Sequence, residues 1–353
     1  MGTETIETSF LSIFALFSFF IFLVVSKYSY KIKSGILQDE DLNKPQAFHK
    51  LPVSRSGGLA AIFSLILFFV IYYLLYSKIL YEYMLVSLSM FSVGFLDDLK
   101  ISIKPSKRLL IMIILLFSFI YFLPIKISNI DIPVLSSLMN NHLFSSIFIL
   151  LCFLFIINGA NLIDGFNGLL TINLIIINIV LVYVNMDNEN LEFSFLLISQ
   201  IIILLSFLLF NFPHAKIFLG DSGAYLMGAL IALNTITTNN LNPEISSFFF
   251  CTLLFYLFFE VFFSFFRKLY NKKSPIYPDS GHLHMLSYYK VSQVFGKDKG
   301  NFINSIIINI VYLALVVPGI FFMDSPNLSR YWFFIVLIIY LLIYSRLYHL
   351  TKN

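Results

Sequence analysis

Roughly every thirty residues this chain enters a run of about 20 residues with scarcely a charge, the length an α-helix needs to cross a bilayer. The runs fall at 10–26, 58–76, 79–96, 108–124, 142–158, 168–184, 192–211, 222–238, 246–266, 302–322 and 331–348. They are continuous rather than alternating, which excludes a β-barrel. Only 12% of the 353 residues are charged, against about 25% in soluble domains. The expected class is all-α: a polytopic integral membrane protein of about eleven transmembrane helices. The first run lacks a basic segment before it and a small-residue cleavage site, so it reads as a retained helix. Cys152 and Cys251 lie inside apolar runs and read as packed or lipid-facing thiols.

Eleven spans put the two termini on opposite sides. Of 23 Lys and Arg, all but Lys78, Lys126 and Arg330 fall on one side of that map. The positive-inside rule makes this side cytoplasmic, with the N-terminus outside and the C-terminus cytoplasmic. The net charge of +4 is then a matter of topology and implies no nucleic acid. No internal repeat or separate soluble domain interrupts the chain. Residues 1–353 read as one membrane domain with cytoplasmic loops at 27–57, 97–108, 158–167, 212–222 and 267–301.

The acids concentrate on the same side. Asp97 and Asp98 end the third span in "GFLDDLK", Asp164 lies in "NGANLIDGFNGLL", and Asp221 sits in "IFLGDSGAYLMG". Asp beside Gly or Asn at a helix end is ordinarily a cap or turn residue. Four such acids on one face, two of them in Gly-bracketed motifs, instead suggest a hard cation held by one or two carboxylates plus substrate phosphates, as Mg²⁺ is. Glycines allow backbone N–H groups to approach an anion, and helix starts favour phosphate. Neighbouring residues on a helix are turned by about 100°, so Asp97 and Asp98 are expected to have different jobs.

Three further features carry polar chemistry. In "KKSPIYPDSGHLHMLSYYK" (272–290), His282 and His284 would share a face in an extended loop but not in a helix; with Lys272 and Lys273 they suit phosphate or nucleotide better than zinc. In "KPQAFHKLPVSRSGG" (44–58), a rigid turn would bring His49, Lys50 and Arg55 to one face, and positive-inside charge does not explain the paired glycines. Glu260 is an intramembrane acid and therefore a functional candidate; the alternative is an ion pair with Arg267, seven residues along the same face.

Together "FHKLPVSRSGG", "GFLDDLKISIKPSKRLL", "NGANLIDGFNGLL", "FLGDSGAYLMG" and "SPIYPDSGHLHML", in this order between about 44 and 286, resemble the polyprenyl-phosphate N-acetylhexosamine-1-phosphate transferases of glycosyl transferase family 4. The resemblance implies a Mg²⁺ enzyme of the inner (plasma) membrane with its active site facing the cytoplasm. Such enzymes transfer a sugar-1-phosphate from a UDP-sugar to undecaprenyl phosphate and release UMP, a first membrane step in cell-envelope glycan synthesis. By motif, Asp97 and Asp98 match the catalytic acids, Asp221 the Mg²⁺ ligand, Asp164 with Asn161 the central motif, and His282 with His284 the histidine loop. Arg55, Lys107 and Arg108 would hold the lipid phosphate, with His49 and Asn167 also contacting substrate. Three positions depart from the pattern: Asn167 where many relatives have Asp, Met285 where a third His is common, and Ala224 for a frequent Ser. "PDSGHLH" and the expected cytoplasmic C-terminus look more like the hexosamine branch than the phospho-MurNAc-pentapeptide translocases. A lipid-linked sugar transporter or flippase would predict charges near the midplane and internal repeats. A CDP-alcohol phosphatidyltransferase would need a compact run of aspartates. Which UDP-sugar is used, and whether the chain forms a homodimer, stay open.

Overall fold

The computed structural model describes residues 3–29, 37–39, 52–101, 103–123, 125–274 and 279–352. Among them run fourteen helices: α1 (Thr3–Ser29), α2 (Gly57–Tyr76), α3 (Tyr81–Asp98), α4 (Pro105–Phe122), α5 (Pro133–Met139), α6 (His142–Ile163), α7 (Leu169–Asp187), α8 (Leu191–Asn211), α9 (Gly220–Leu241), α10 (Ser247–Leu253), α11 (Phe255–Tyr270), α12 (Leu283–Phe295), α13 (Lys297–Ile320) and α14 (Pro326–Lys352). A two-residue pairing, β1 (Gln38–Asp39) with β2 (Val53–Ser54), is antiparallel.

Each predicted run overlaps a helix among the described residues, with ends displaced by a few residues. Eight helices are long and apolar enough to span a bilayer, and α10 with α11 would add a ninth. The protein is therefore a nearly all-α, multi-pass membrane protein. Two helices miss that measure for visible reasons: α3 carries Glu82, Asp97 and Asp98 in 18 residues, and the last two turns of α9 hold Asn234, Thr235, Thr237, Thr238, Asn239 and Asn240.

Helix α9 tolerates this polarity because it is the centre of the molecule, packed against α2, α3, α6 and α7. Its polar groups meet partners on neighbouring helices. Asn234 Nδ2 donates to Gln200 Oε1 on α8 at 2.7 Å and to Asn178 Oδ1 on α7 at 3.1 Å. One turn further on, Asn185 Nδ2 of α7 donates to Thr238 Oγ1 at 2.9 Å. Such interhelical bonds are worth roughly 0.6 kcal/mol each in a bilayer, so they fix register more than they hold the helices together.

The predicted span 246–266 is broken. α10 and α11 meet at Leu254 with a bend of 75°. A bend in lipid leaves carbonyls that must be satisfied from elsewhere. The Leu253 carbonyl accepts from the Tyr312 hydroxyl of α13. Gly159 of α6 lets the bent segment approach, since a Cβ there would lie 2.2 Å from the Leu257 carbonyl oxygen.

Connecting segments gather at two ends. At one, Lys78 pairs with Glu192 at 2.7 Å and Asn129 Nδ2 donates to the Pro243 carbonyl at 2.7 Å. At the other, Gly57 N donates to the Phe218 carbonyl at 2.9 Å and Asn167 N to Asn301 Oδ1 at 2.9 Å. The stretch 267–301, read from sequence as a loop, contains α12. Cys152 and Cys251 are free thiols.

Candidate active site

The site is built where α2, α3 and α9 come unusually close. A Cβ on Gly58 would lie 2.3 Å from Ser222 Oγ and 2.4 Å from Gly223 N; one on Gly94 would lie 2.4 Å from the Asp221 carbonyl oxygen. The start of α2 is tied down by Gly58 N donating to the Leu219 carbonyl at 2.8 Å. This contact explains the paired glycines of "SRSGG", which charge sorting could not.

That closeness puts the Asp98 carboxylate, at the end of α3, over the first turn of α9. Gly220 has φ +77°, and a Cβ there would collide with the carboxylate at 2.7 Å. Asp98 accepts from Asp221 N at 3.0 Å and Ser222 N at 2.9 Å. It is 1% exposed. Asp98 thus caps α9 from another helix, and Asp221, expected beside free N–H groups, has those groups already committed. A phosphate cannot use them while Asp98 holds this place.

Asp97 points elsewhere. Its Oδ1 lies 2.9 Å from Arg108 Nη1, and the same nitrogen lies 2.7 Å from Asp221 Oδ2. One guanidinium on α4, flanked by the Tyr225 ring 5.5 Å away, therefore bridges two carboxylates from α3 and α9. The two neighbouring aspartates do diverge, one inward as a cap and one outward as an ion-pair partner. Arg55, just after β2, reaches Asp39 at 2.8 Å and lies 3.9 Å from Asp98.

Asp164 caps the end of α6, outside its apolar run, and feels the charges of Asp221, Arg55 and Asp98. Burial, reinforced by the Asp221 and Asp98 carboxylates and only partly offset by Arg55, pushes it well above the usual carboxylate range. Asn161 is half-buried one turn earlier on α6. Asn167 donates from Nδ2 to the Pro213 carbonyl at 2.8 Å, a bond that the aspartate of other motif versions could not make. Lys107 is exposed. His49 and Lys50 lie outside the described residues.

The histidine loop docks on the central motif through Phe166, whose ring lies 5.7 Å from that of His284 and 5.2 Å from that of Tyr288. His282 and His284 are not in an extended loop: His282 precedes α12 and His284 is in its first turn, yet their rings stack 5.4 Å apart at 4°. Both are buried, at 2% and 1%. His282 Nδ1 lies 3.0 Å from Glu260 Oε1 and Nε2 lies 3.2 Å from Asp279 Oδ1. Burial works against the imidazolium, but these two carboxylates outweigh it and raise the His282 pKa. For His284, burial prevails and lowers the pKa to about 3. Its Nε2 has no protein partner among the described residues. The Glu260–Arg267 pair weighed from sequence does not form: Arg267 binds Asp279 at 2.6 and 2.9 Å.

Several supports were not read from sequence. Asn211 accepts from Gly168 N at 2.7 Å and donates to the Ile217 carbonyl at 3.0 Å. On α13, Asn304 Nδ2 donates to the His284 carbonyl at 2.9 Å and Asn309 Nδ2 to that of Leu169 at 3.1 Å. Their signal was present: amides recurring inside an apolar run are costly unless used.

Chemically, the junction offers two carboxylates, Asp97 and Asp221, converging on one cation. Among the described residues no three His, Cys, Asp or Glu side chains form a metal cage. The donor set still fits Mg²⁺, which typically takes one or two carboxylates and completes its shell with water and phosphate oxygens. The buried hydroxyls of Ser54 and Ser56, in the segment leading into α2, have no protein partner among the described residues.

The chain is similar to several known proteins. An undecaprenyl-phosphate alpha-N-acetylglucosaminyl 1-phosphate transferase of Thermotoga maritima is 26% identical over 282 residues, 79% of this chain and 81% of the relative. A phospho-N-acetylmuramoyl-pentapeptide-transferase of Streptococcus thermophilus is 33% identical over 153 residues, 41% of this chain and 44% of the relative. One from Clostridium perfringens is 30% identical over 149 residues, 40% of this chain and 47% of the relative. The family model for glycosyl transferase family 4 matches residues 80–239. That stretch runs from the start of α3 nearly to the end of α9 and holds Asp97, Asp98, Arg108, Asp164 and Asp221 together, so the likeness to glycosyl transferase family 4 covers the residues of the junction.

Proposed function

We propose that this protein transfers an N-acetylhexosamine-1-phosphate from a UDP-sugar to undecaprenyl phosphate and releases UMP, with Mg²⁺ as cofactor. The observation that carries the reading is the convergence of Asp97, Asp221 and Arg108 at the mouth of a junction whose third carboxylate, Asp98, is spent on holding α9. Mg²⁺ held by Asp221 would screen the diphosphate and the charge that builds on the leaving UMP. Arg108 would then be free to bind a phosphate, and Arg55, on the other side of Asp98, could hold the lipid phosphate. Asp97, more exposed than Asp98, is the better placed of the pair to orient or deprotonate the attacking phosphate.

The topology we propose has eleven spans, an external N-terminus, and the site and C-terminus facing the cytoplasm. Parity supports counting α3 and α9. Without α3, Arg55 and Asp98 would lie on opposite faces of the membrane, although they are 3.9 Å apart. A reporter after Asn353 that is active only outside should be silent.

The phospho-MurNAc-pentapeptide transfer of the second group of relatives is the alternative reading, favoured by their higher identity over the shared core. Purified protein given undecaprenyl phosphate and a panel of UDP-sugars decides. Release of UMP with a UDP-HexNAc supports the proposal, and release only with UDP-MurNAc-pentapeptide moves the protein to the other branch. Transport of a lipid-linked sugar without UMP sinks both.

A further inference from the structure

Glu260 sits on α11, about two turns in from the basic end of that helix, and is 1% exposed. A carboxylate so placed must be neutralised and fully bonded. Oε1 accepts from Leu283 N at 3.1 Å and from His282 Nδ1 at 3.0 Å, and Oε2 accepts from the Tyr340 hydroxyl on α14. Beyond His282, the Nε2 contact leads to Asp279 at 3.2 Å, which is gripped by both Arg267 terminal nitrogens. The result is one unbroken line of side chains: Tyr340, Glu260, His282, Asp279, Arg267.

A ring with a carboxylate at each nitrogen must donate from both, so His282 is held as an imidazolium. Glu260 and Asp279 are then balanced by His282 and Arg267. The other titratable groups facing this line are Lys268, 4.0 Å from Asp279, the stacked His284, Tyr256 against His284, and Tyr344, whose hydroxyl donates to the Gly281 carbonyl at 3.0 Å. Leu283 is the first residue of α12, whose N-cap, His282, makes no side-chain capping bond. Glu260 therefore supplies that helix start with its carboxylate from a different helix.

We infer that Glu260 is a positioning residue: it holds charged His282 between two carboxylates and so fixes the first turn of α12, with His284, against Phe166 of the central motif. His284, whose Nε2 is buried and uncommitted, is held in place by this turn, and His282 is its anchor. This rests on the transferase reading only for its kinetic readout.

The test compares Glu260→Gln, Glu260→Asp, His282→Gln and the double variant Glu260→Gln/His282→Gln, purified in detergent. Glu260→Gln should lose at least tenfold in kcat/KM for the UDP-sugar at pH 8. Activity should return in part at pH 6, where the ring regains its second proton despite the missing carboxylate. Glu260→Asp keeps the charge and should recover most of the activity. The double variant should be no worse than the poorer single one, because the two residues act as one unit. Hydrogen exchange over 279–290 reads the same device without turnover: Glu260→Gln should expose the first turn of α12 selectively. Wild-type exchange there, or a loss that ignores pH and that Asp does not mend, overturns the proposal. Selective exchange in a protein that never releases UMP overturns the transferase reading instead.

Discussion

The starts of α9 and α12 both take a carboxylate from a distant part of the chain, Asp98 and Glu260, yet their surroundings differ. Around α9, Asp97, Asp98, Asp164 and Asp221 face Arg55 and Arg108, so acids outnumber cations, and the side chains of Asp97 and Asp221 are 32% and 18% exposed. Around α12, Glu260 and Asp279 each have a cation in contact, His282 and Arg267, with Lys268 4.0 Å from Asp279 beside them, and the Glu260 and His282 side chains are 1% and 3% exposed. Surplus charge with access to water is a place for exchange: a cation can come and a guanidinium can go. Acids fully matched by cations and without access are a fastening. Charge balance and exposure separate working carboxylates from structural ones here better than residue type does.

The largest effect expected from this contrast is at Asp221. Asp221→Asn leaves the α9 cap intact, because Asp98 provides it. Membrane abundance should stay normal while Mg²⁺-dependent UMP release falls by about a thousandfold or more, the scale of removing a principal electrostatic stabiliser. Near-normal turnover across a Mg²⁺ titration would place the metal elsewhere.

His282→Ala should act on stability first, since it leaves two carboxylates without their cation; removing one partner of a buried pair costs about 3 kcal/mol. The pH dependence follows in sign. A histidine raised above its ordinary pKa of about 6.5 contributes fully below that value and loses its contribution as pH rises through the raised one. Thermal midpoints in detergent should therefore fall more steeply on the alkaline side for wild type than for His282→Gln. Parallel curves would break the fastening interpretation.

Asp98→Ala comes next: it strands two buried N–H donors at roughly 1–3 kcal/mol, whereas Asp97→Ala should lose turnover with stability changed by less than about 1 kcal/mol. A thermal shift for Asp97 as large as for Asp98 would erase the division of labour between them. Lys107→Ala, on an exposed side chain, should be the mildest, raising the KM for undecaprenyl phosphate a few-fold with a salt dependence that fits screened attraction.

What the sequence made legible was whatever repeats along the chain. Runs of apolar residues gave the helices, and four acids at helix ends gave the neighbourhood of the site. What it hid depended on partners far apart in the chain. Asp98 and the N–H groups of Asp221 and Ser222 are more than a hundred residues apart, so a residue read as catalytic proved to be a cap as well. The bend at Leu254 leaves no mark because "FFFCTLLFYLFF" holds neither Pro nor Gly; it is imposed from outside by α6 and α13. Helix α12 was hidden by its place in a charged segment, and the Asn301, Asn304 and Asn309 stripe by the hydropathy of its own helix.

Gly58, Gly94 and Gly220 contribute no chemistry, yet each stands within a side chain's width of Ser222, Asp221 or Asp98. In a saturation screen for loss of function they should score beside the aspartates, for even alanine would wedge the junction apart. Overpacking of that kind costs roughly 1–3 kcal/mol, and displacing the acids by a fraction of an ångström silences a site that depends on their convergence. A ranking by mutational intolerance alone would list these glycines as active-site residues. Measuring turnover per folded molecule would not sort them out either, because a well-folded alanine variant with its carboxylates parted looks, to the assay, like an enzyme that has lost its metal.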